Sequence, residues 1–264
     1  MPELPEVETI VQGLKIAVTQ QKIEQVKIYD PKVAKMLAGE DITGRRIINI
    51  RRRGKYIIFE LNKGLALIVH LRMSGRLLYQ QHEPQSNRWV RTVIKLDNGF
   101  LIFQDRRRLG VLEASCFSDL NCRLGVEPLS PEFNSDYLVQ KLAVSKRPIK
   151  VFLMDQTIIA GIGNIYAQEI LFAAGIHPQR QAVSLSNNEI ERLVEAIKNV
   201  LMLAIRHQGT TISDFQNADA IEGNFQNLLK VYGRENEPCL VCQTPIKRIK
   251  QQGRSTYFCE RCQK

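Results

Sequence analysis

Two pairs of cysteines late in the chain have the spacing of a metal site. Two residues separate the cysteines within each pair, and sixteen residues separate the pairs. This spacing lets four thiolates surround one tetrahedral zinc ion, whereas a reducing cytoplasm disfavours the alternative of two disulfides. Because protein fills every position, the sequence predicts one structural Zn²⁺ that does not activate water. The predicted ligands are Cys239, Cys242, Cys259 and Cys262.

The beginning of the chain could supply a nucleophile. Removal of Met1 would leave Pro2 with a free secondary amine. An α-amino group with a pKa of about 8 is partly unprotonated at neutral pH. Such an amine can attack an electrophilic carbon, with Glu3 within reach to move protons. The structural alternative is that Glu3, Glu6 and Glu8 only complement the dipole of a helix that starts here.

Basic residues indicate a polyanionic partner. The chain has 37 Lys and Arg against 27 Asp and Glu, a formal net charge of +10. Clustered cations neutralise phosphates and bind nucleic acid without reading its sequence. The alternative is that each cluster is only a solvated charged face. One cluster is Arg45, Arg46, Arg51, Arg52, Arg53 and Lys55; the other is Lys247, Arg248, Lys250, Arg254, Arg261 and Lys264.

A glycine turn offers a further anion site. Gly161-Ile162-Gly163 precedes a helical stretch over 164–174, and free N–H groups at a helix start can hold phosphate. The alternative is a plain helix cap. A dinucleotide-binding turn is excluded, because Tyr166 stands where that motif needs Gly or Ala and no βαβ unit surrounds it.

The elements that must position these residues change character along the chain. Apolar residues at helical spacing predict a helix over 3–18, and short β-rich runs predict an antiparallel sandwich or barrel. After a composition shift at 127–131 the pattern becomes helical. A capping box at Ser186 and Glu189 opens a long helix that ends near Gly209. The predicted strands include 46–50, 55–61, 65–71, 91–96 and 100–104, and the shorter helices are 149–155 and 164–174.

Length and hydropathy narrow the class of protein. At roughly 150 residues per domain, 264 residues predict two domains or three small ones. No run approaches the roughly 18 apolar residues of a membrane span. The acidic start also lacks the features of a secretory signal, so we expect a cytoplasmic protein that does not enter a membrane. Cys116 and Cys122 lack a partner pair and are expected to be buried free thiols.

The motifs together resemble those of the formamidopyrimidine-DNA glycosylases. The resemblance covers essentially the whole chain in order. Leu4 favours this branch over the related endonuclease VIII branch, which usually has Gly there. The motifs are Pro2-Glu3-Leu4-Pro5-Glu6-Val7-Glu8-Thr9, Arg53-Gly54-Lys55-Tyr56, His70-Leu71-Arg72-Met73-Ser74-Gly75, Gly161-Ile162-Gly163-Asn164-Ile165-Tyr166-Ala167 and the cysteine-rich tail to Lys264.

The resemblance implies both a fold and an activity. The fold is α+β: an N-terminal antiparallel β-sandwich with an N-terminal helix, a helix-two-turn-helix domain and a C-terminal zinc finger, with DNA in the cleft. We expect these domains at 1–130, 131–228 and 229–264. The activity is excision of oxidised purines, such as 8-oxoguanine and formamidopyrimidines, from double-stranded DNA, followed by strand cleavage at the abasic site. A monomer is the default expectation.

Catalytic roles follow from the same resemblance. Pro2 matches the nucleophile that attacks the sugar C1′ and forms a Schiff base, an electron sink that lets both phosphates be eliminated. Glu3 matches the acid that protonates the sugar oxygen and shuttles protons. Lys55, Asn164 and Arg254 match phosphate ligands around the extruded nucleotide, and we count Lys55 and Arg254 with the catalytic groups as well.

Other residues match the parts that replace the extruded base. Met73 resembles the residue that fills the vacated stack, and Arg107 matches the residue that faces the orphaned cytosine. The family's Asp-Pro-Arg-Arg-Phe-Gly reads Asp105-Arg106-Arg107-Arg108-Leu109-Gly110 here, so Leu109 replaces the aromatic wedge. Apolar side chains of several shapes can separate base steps. The alternative for Met73 and Leu109 is ordinary core packing.

Two segments depart from the family, and one other class of function is open. In Arg88-Trp89-Val90-Arg91, where relatives often have His-x-His, Trp89 could stack or pack. A lesion-capping loop is expected near Asp219–Phe225, with no base contact assigned. The alternative function is a non-catalytic zinc-ribbon protein that binds nucleic acid. Only the N-terminal residues and the family motifs separate the two.

Overall fold

The computed structural model describes residues 1–34, 41–84, 88–116, 120–211 and 223–264. These ranges form two units. The first unit combines Met1–Arg123 with His207–Gln226, and the second combines Leu124–Arg206 with Asn227–Lys264. Within the described ranges, no helix is both long enough and apolar enough to cross a bilayer.

The first unit begins with the helix that the apolar spacing predicted. Helix α1 spans Leu4–Val18, and Pro5 lies in its first turn, where proline removes no helical hydrogen bond. Its apolar face is buried in the core of this unit. That face consists of Val7, Ile10, Val11, Leu14 and Val18.

Within the part of the first unit that the structure describes, eight strands form two four-stranded antiparallel sheets, with the orders β1-β6-β7-β5 and β2-β3-β4-β8. Side chains from both sheets share one core with α1, which is the arrangement of a β-sandwich. The predicted sandwich is confirmed. The strands are β1 (Ile23–Ile28), β2 (Ile47–Arg53), β3 (Tyr56–Leu61), β4 (Ala66–His70), β5 (Gly75–Gln80), β6 (Val90–Leu96), β7 (Gly99–Asp105) and β8 (Val111–Ser115).

The second unit is helical and ends in a two-stranded hairpin. Its helices are α2 (Ser135–Leu142), α3 (Ile149–Leu153), α4 (Asn164–Ala174) and α5 (Asn187–Arg206), and the hairpin strands are β9 (Lys247–Gln251) and β10 (Arg254–Phe258). Helices α3 and α4 flank the glycine turn, as predicted. The prediction of a helical helix-two-turn-helix domain with a four-cysteine zinc finger is also confirmed.

One sequence expectation about side chains is wrong. Cys116 and Cys122 are exposed, although we expected buried thiols. Both residues follow β8, beyond the end of the sandwich strands, so neither side chain reaches the core between the sheets.

Candidate active site and nucleic-acid interface

The start of the chain is held in place by a buried carboxylate. Pro2 and Glu3 are buried, and Glu3 is the N-cap of α1 in a capping box with Glu6. Glu6 is only 2% exposed: one of its oxygens, Oε2, accepts the N–H of Glu3 at 2.8 Å, and Oε1 accepts the N–H of Thr210 at 2.7 Å. The helix-start role suggested by the sequence is therefore real, and Glu6 additionally ties the beginning of the chain to a loop 204 residues away.

Glycine is required where that loop meets Glu6. Gly209 has a φ of +79°, in the left-handed region that favours glycine. A Cβ at this position would lie 2.7 Å from Glu6 Oε1 and 2.9 Å from its Cγ. The sequence marked Gly209 only as the end of a helix. Its close approach to Glu6 is a tertiary contact.

Lys55 lies in a cationic neighbourhood of the same unit. It is 6% exposed and follows Gly54, whose φ of +56° allows the tight turn between β2 and β3. His70 closes β4 nearby. Burial, together with the positive charges of Arg72 and Lys55, lowers the pKa of His70 to about 3, so its imidazole is neutral at pH 7. Its Nδ1 accepts the N–H of Arg72 at 3.0 Å, and the ring proton is therefore on Nε2.

His70 is a further candidate site residue, although its motif in the sequence assigns it no role. A neutral imidazole beside Lys55 and Arg72 can donate a hydrogen bond from Nε2 without adding charge. Its ring also packs edge-on against Tyr56, with centroids 4.5 Å apart. Nothing in composition or spacing distinguishes such a buried donor from an ordinary core histidine.

Met73 and Leu109 are exposed apolar residues, so the core-packing alternative is wrong for both. Met73 is 44% exposed and Leu109 is 45% exposed. Each follows an arginine with positive φ, +52° at Arg72 and +56° at Arg108. Non-glycine residues adopt this conformation at a cost, and such strain tends to be retained where it serves function.

The turn that carries Arg107 and Leu109 is organised around one buried carboxylate. Asp105 accepts the hydroxyl of Ser74 at 2.5 Å and the N–H groups of Arg107, Leu109 and Gly110 at 3.0, 2.7 and 2.7 Å. Burial opposes ionisation of Asp105, but these donors outweigh it and lower its pKa. Because the N–H of Arg107 also lies 3.2 Å from Ser74 Oγ, the Met73 and Leu109 turns adjoin each other.

Trp89 lies in the same unit and is half-buried. The guanidinium carbon of Arg88 is 4.3 Å from the centre of its ring, a cation–π contact. Of the expected lesion-capping loop, residues 219–222 lie outside the described ranges. Phe225 N donates to the carbonyl of Gly209 at 2.9 Å, and Gly223 N donates to Thr211 Oγ1 at 2.9 Å.

In the second unit, Asn164 and the start of β10 lie side by side. Asn164 opens α4, and its Nδ2 donates to the carbonyl of Ser255 at 3.3 Å, next to Arg254. Arg254 is exposed and follows the Gln252-Gly253 turn, whose two residues have φ of +46° and +75°. The structure thus places Asn164 against the strand segment that carries Arg254 within this unit.

A buried lysine, which the sequence reasoning missed, organises this pair. Lys150 is 1% exposed, and its Nζ lies 2.7 Å from Asn164 Oδ1 and 2.6 Å from Thr256 Oγ1. Donation to Oδ1 orients the Asn164 amide so that Nδ2 faces the carbonyl of Ser255. Arg254 and Lys150 also line a cleft of about 330 Å³ with Arg147 and Asp155.

The four predicted zinc ligands converge. Their sulfur atoms all lie within 4.8 Å of one another, with Sγ–Sγ distances of 3.8 Å for Cys239–Cys262 and 3.4 Å for Cys242–Cys259. A disulfide needs about 2.05 Å. Zn–S bonds of about 2.3 Å in a tetrahedron place sulfurs about 3.8 Å apart, so the donor set fits zinc. Cys239 and Cys242 precede β9, and Cys259 and Cys262 follow β10, so the site closes the hairpin that carries Arg254.

Comparison with known families covers almost the entire chain. The family model described as the formamidopyrimidine-DNA glycosylase N-terminal domain matches residues 1–112, and the H2TH domain of the same enzymes matches residues 124–216. The zinc finger found in FPG and IleRS matches residues 236–264. The chain belongs to the formamidopyrimidine-DNA glycosylase family. A protein named formamidopyrimidine-DNA glycosylase from Carboxydothermus hydrogenoformans is 42% identical over 268 residues, with all of both chains covered.

Solved structures agree with this assignment. A Lactococcus lactis Fpg variant in complex with DNA containing Fapy-dG has a TM-score of 0.92, at 35% identity, with 99% of each chain covered. The complex of L. lactis Fpg with DNA containing an abasic site has a TM-score of 0.91, at the same identity and coverage.

Family membership decides between the two classes of function. The chain is a DNA-formamidopyrimidine glycosylase of base excision repair, acting on damaged DNA, in a family that also has AP lyase activity. The non-catalytic alternative is therefore rejected. The zinc-finger match and the converged cysteines together support a zinc ion at this position.

Proposed function

We propose that this enzyme excises 8-oxoguanine and formamidopyrimidines through a Schiff base on Pro2 and then cleaves the strand by β,δ-elimination. The observation that carries the proposal is the anchoring of the chain start. Glu6 binds the N–H of Glu3, the residue after Pro2, and its other oxygen binds Thr210. A nucleophile gains most when its position is determined in advance, because a displacement of about 1 Å can cost about 100-fold in rate.

A secondary amine suits this chemistry. After removal of Met1, the Pro2 nitrogen attacks C1′ and the damaged base departs. Glu3 protonates the sugar ring oxygen, the ring opens, and the nitrogen becomes a cationic iminium because it has no second proton to lose. The iminium withdraws electrons from C2′, whose proton is then removed. The 3′ phosphate leaves by β-elimination and the 5′ phosphate follows by δ-elimination.

Cations in each unit support the phosphate contacts. In the first unit Lys55 lies beside neutral His70, and in the second Asn164 hydrogen-bonds the carbonyl of Ser255, the residue next to Arg254. Phosphate contacts of this kind position DNA without specifying its sequence. We assign Lys55, Asn164 and Arg254 to the phosphates that flank the extruded nucleotide.

Exposed side chains in the first unit support a role in base extrusion. Extruding a stacked base costs a few kcal/mol, and an apolar wedge can offset this by filling the gap. Met73 and Leu109 are exposed apolar side chains on adjoining turns, with the exposed Arg107 beside them. We assign Met73 and Leu109 to the vacated stack and Arg107 to the orphaned cytosine.

The lesion class is tested by excision from duplexes that carry 8-oxoguanine, a formamidopyrimidine or an oxidised pyrimidine opposite cytosine or adenine. We expect the two purine lesions opposite cytosine to be cleaved fastest, leaving phosphate at both ends of the gap. Preference for the pyrimidine would contradict the substrate assignment. Products of β-elimination alone would contradict the second elimination.

We also propose one Zn²⁺ per chain and a monomeric enzyme. The four cysteines supply a complete tetrahedral set, so a bound ion would stabilise the fold around β9 and β10 without taking part in chemistry. Metal analysis combined with light scattering tests both statements. A zinc-to-chain ratio of one and the mass of one chain are expected.

A further inference from the structure

A carboxylate outside the site described so far is positioned beneath the Leu109 turn. Asp30 follows β1 and is 3% exposed. It forms a two-pronged ion pair with Arg108, in which Arg108 Nε donates to Oδ2 and Nη2 donates to Oδ1 at 3.0 Å. Such forked pairs define the direction of the guanidinium as well as attracting it.

The same carboxylate reaches a second arginine. Arg91 Nε lies 3.8 Å from Asp30 Oδ2 and donates to the carbonyl of Asp105 at 2.7 Å. The backbone N–H of Asp30 in turn donates to the carbonyl of Arg91 at 3.2 Å. Asp30 is therefore connected to Asp105 and to Arg108, which lie at the beginning and in the middle of the turn.

Backbone bonds attach the segment after Asp30 to the other side of the turn. The carbonyl of Val33, a fully buried residue, accepts the N–H of Leu112 at 2.9 Å. The turn from Asp105 to Gly110 contains no proline that would restrict its backbone. Hydrogen bonds and ion pairs must therefore determine the shape of the turn. Asp105 accepts hydrogen bonds from within the turn, and Asp30 contacts it from the segment after β1.

The ion pair with Asp30 offsets an unfavourable backbone conformation at Arg108. Its φ of +56° lies in the left-handed region, which is unfavourable for a residue with a Cβ. A forked ion pair with a carboxylate that is itself buried and held can retain that conformation. The strained residue lies between Arg107 and Leu109, so its conformation sets the directions of both side chains.

We propose that Asp30 is a positioning residue for base extrusion, which acts by holding Arg108 in the conformation that directs Arg107 and Leu109 outward. This inference rests on the proposed function of those two residues. If the proposal is correct, Asp30 affects base excision but not strand cleavage at an abasic site. Excision of a paired, stacked lesion needs the wedge, whereas cleavage at a pre-formed abasic site requires no base to be extruded.

The test uses three variants of the full-length, zinc-loaded enzyme: Asp30→Asn, Arg108→Met and the double variant. Single-turnover rates are measured at saturating enzyme on an 8-oxoguanine duplex and on an abasic duplex. For each single variant we expect about a tenfold loss on the first substrate and less than about a twofold change on the second, because about one charge-assisted contact is lost. The double variant should lose no more than Asp30→Asn alone, since the ion pair that Arg108→Met removes is already lost in that variant.

A matched control variant is available in β1, the strand that precedes Asp30. Glu24→Gln in β1 removes a carboxylate that pairs with Lys95 at 2.7 Å, but both partners are more than 40% exposed. This variant should retain both rates, because exposed pairs contribute little. Urea unfolding of each variant measures how much stability is lost in the same samples.

The outcomes separate this inference from the proposed function. Equal losses on both substrates for Asp30→Asn and Arg108→Met, or additive losses in the double variant, would show a merely structural role and overturn the inference. If the unmodified enzyme failed on both substrates, the proposed function itself would be at fault. Retention of full 8-oxoguanine excision by Asp30→Asn would also overturn the inference.

Discussion

Replacing Gly209 by alanine tests whether Glu6 positions the nucleophile. The new Cβ would lie 2.7 Å from Glu6 Oε1, which is bound at the same time to the N–H of Thr210. Glu6 is buried and bound through both oxygens, so it cannot move aside without breaking a contact. Its displacement would release the N–H of Glu3 and with it the position of Pro2.

The magnitude follows from a comparison with Gly44 in the same unit. Gly44 has a φ of +80°, nearly that of Gly209, but among the described residues no atom lies within 4 Å of the point that an alanine Cβ would occupy there. The positive φ alone costs alanine about 1–2 kcal/mol, offset by about 0.4–1 kcal/mol from the restricted unfolded chain. We therefore expect Gly44→Ala to lose about 1 kcal/mol. Gly209→Ala should lose about 3 kcal/mol, because a charge-assisted hydrogen bond worth about 1.5–3 kcal/mol is lost as well.

The assay is single-turnover excision from an 8-oxoguanine duplex, with urea unfolding of the same preparations. Gly209→Ala should reduce excision by about 100-fold, since displacement of the nucleophile by about 1 Å has that effect. Gly44→Ala should stay within about twofold of the unmodified enzyme. Equal rates for the two variants would refute the idea that Glu6 transmits its position to Pro2.

Three further predictions concern charge and metal. Lys55→Met or Arg254→Met should each lower the slope of log K against log salt by about 1 in DNA-binding titrations, and an unchanged slope would remove that residue from the interface. The pKa of His70 is about 3 when folded, against an ordinary value of 6.5, so the unfolded state binds its proton first and stability falls as pH drops from 6.5 towards 3. NMR of the folded enzyme should show no titration of His70 between pH 8 and 5, and a midpoint near 6.5 would contradict its burial beside Arg72 and Lys55. Removal of zinc by a chelator should disrupt the β9–β10 region and abolish excision, with recovery on adding Zn²⁺; full activity without metal would contradict a structural role.

Periodicity and spacing predicted the parts of the fold that depend on local pattern. Helix α1 and helix α5 each have an apolar stripe, and the sandwich strands that were identified are flanked by turn residues. Strand β1 was not among the predicted strands. It lies at the edge of its sheet, and the polar residues Glu24, Gln25 and Lys27 interrupt the alternation of apolar residues that marks a strand. The cysteine spacing identified the metal site without any knowledge of the fold, since both pairs are local.

The contacts that position the site could not be predicted in this way. Glu6 and Thr210 are 204 residues apart, and only the folded chain brings them together. Lys150 reads as a surface charge in a short helix, yet it is buried against Asn164 and Thr256. Asp30 likewise has no local signal, because its partner Arg108 lies 78 residues further along. Residue type indicates which chemistry is available, whereas burial and partners decide where it is used.

Locating the covalent bond to DNA tests directly whether Pro2 is the nucleophile. The enzyme, with removal of Met1 verified by intact mass, is mixed with an 8-oxoguanine duplex and borohydride, and the trapped adduct is digested and mapped by mass spectrometry. We expect a sugar remnant on the nitrogen of Pro2, and no adduct in a preparation that retains Met1 but still binds the duplex. An adduct on a lysine, or trapping that is equally efficient with Met1 in place, would contradict this expectation.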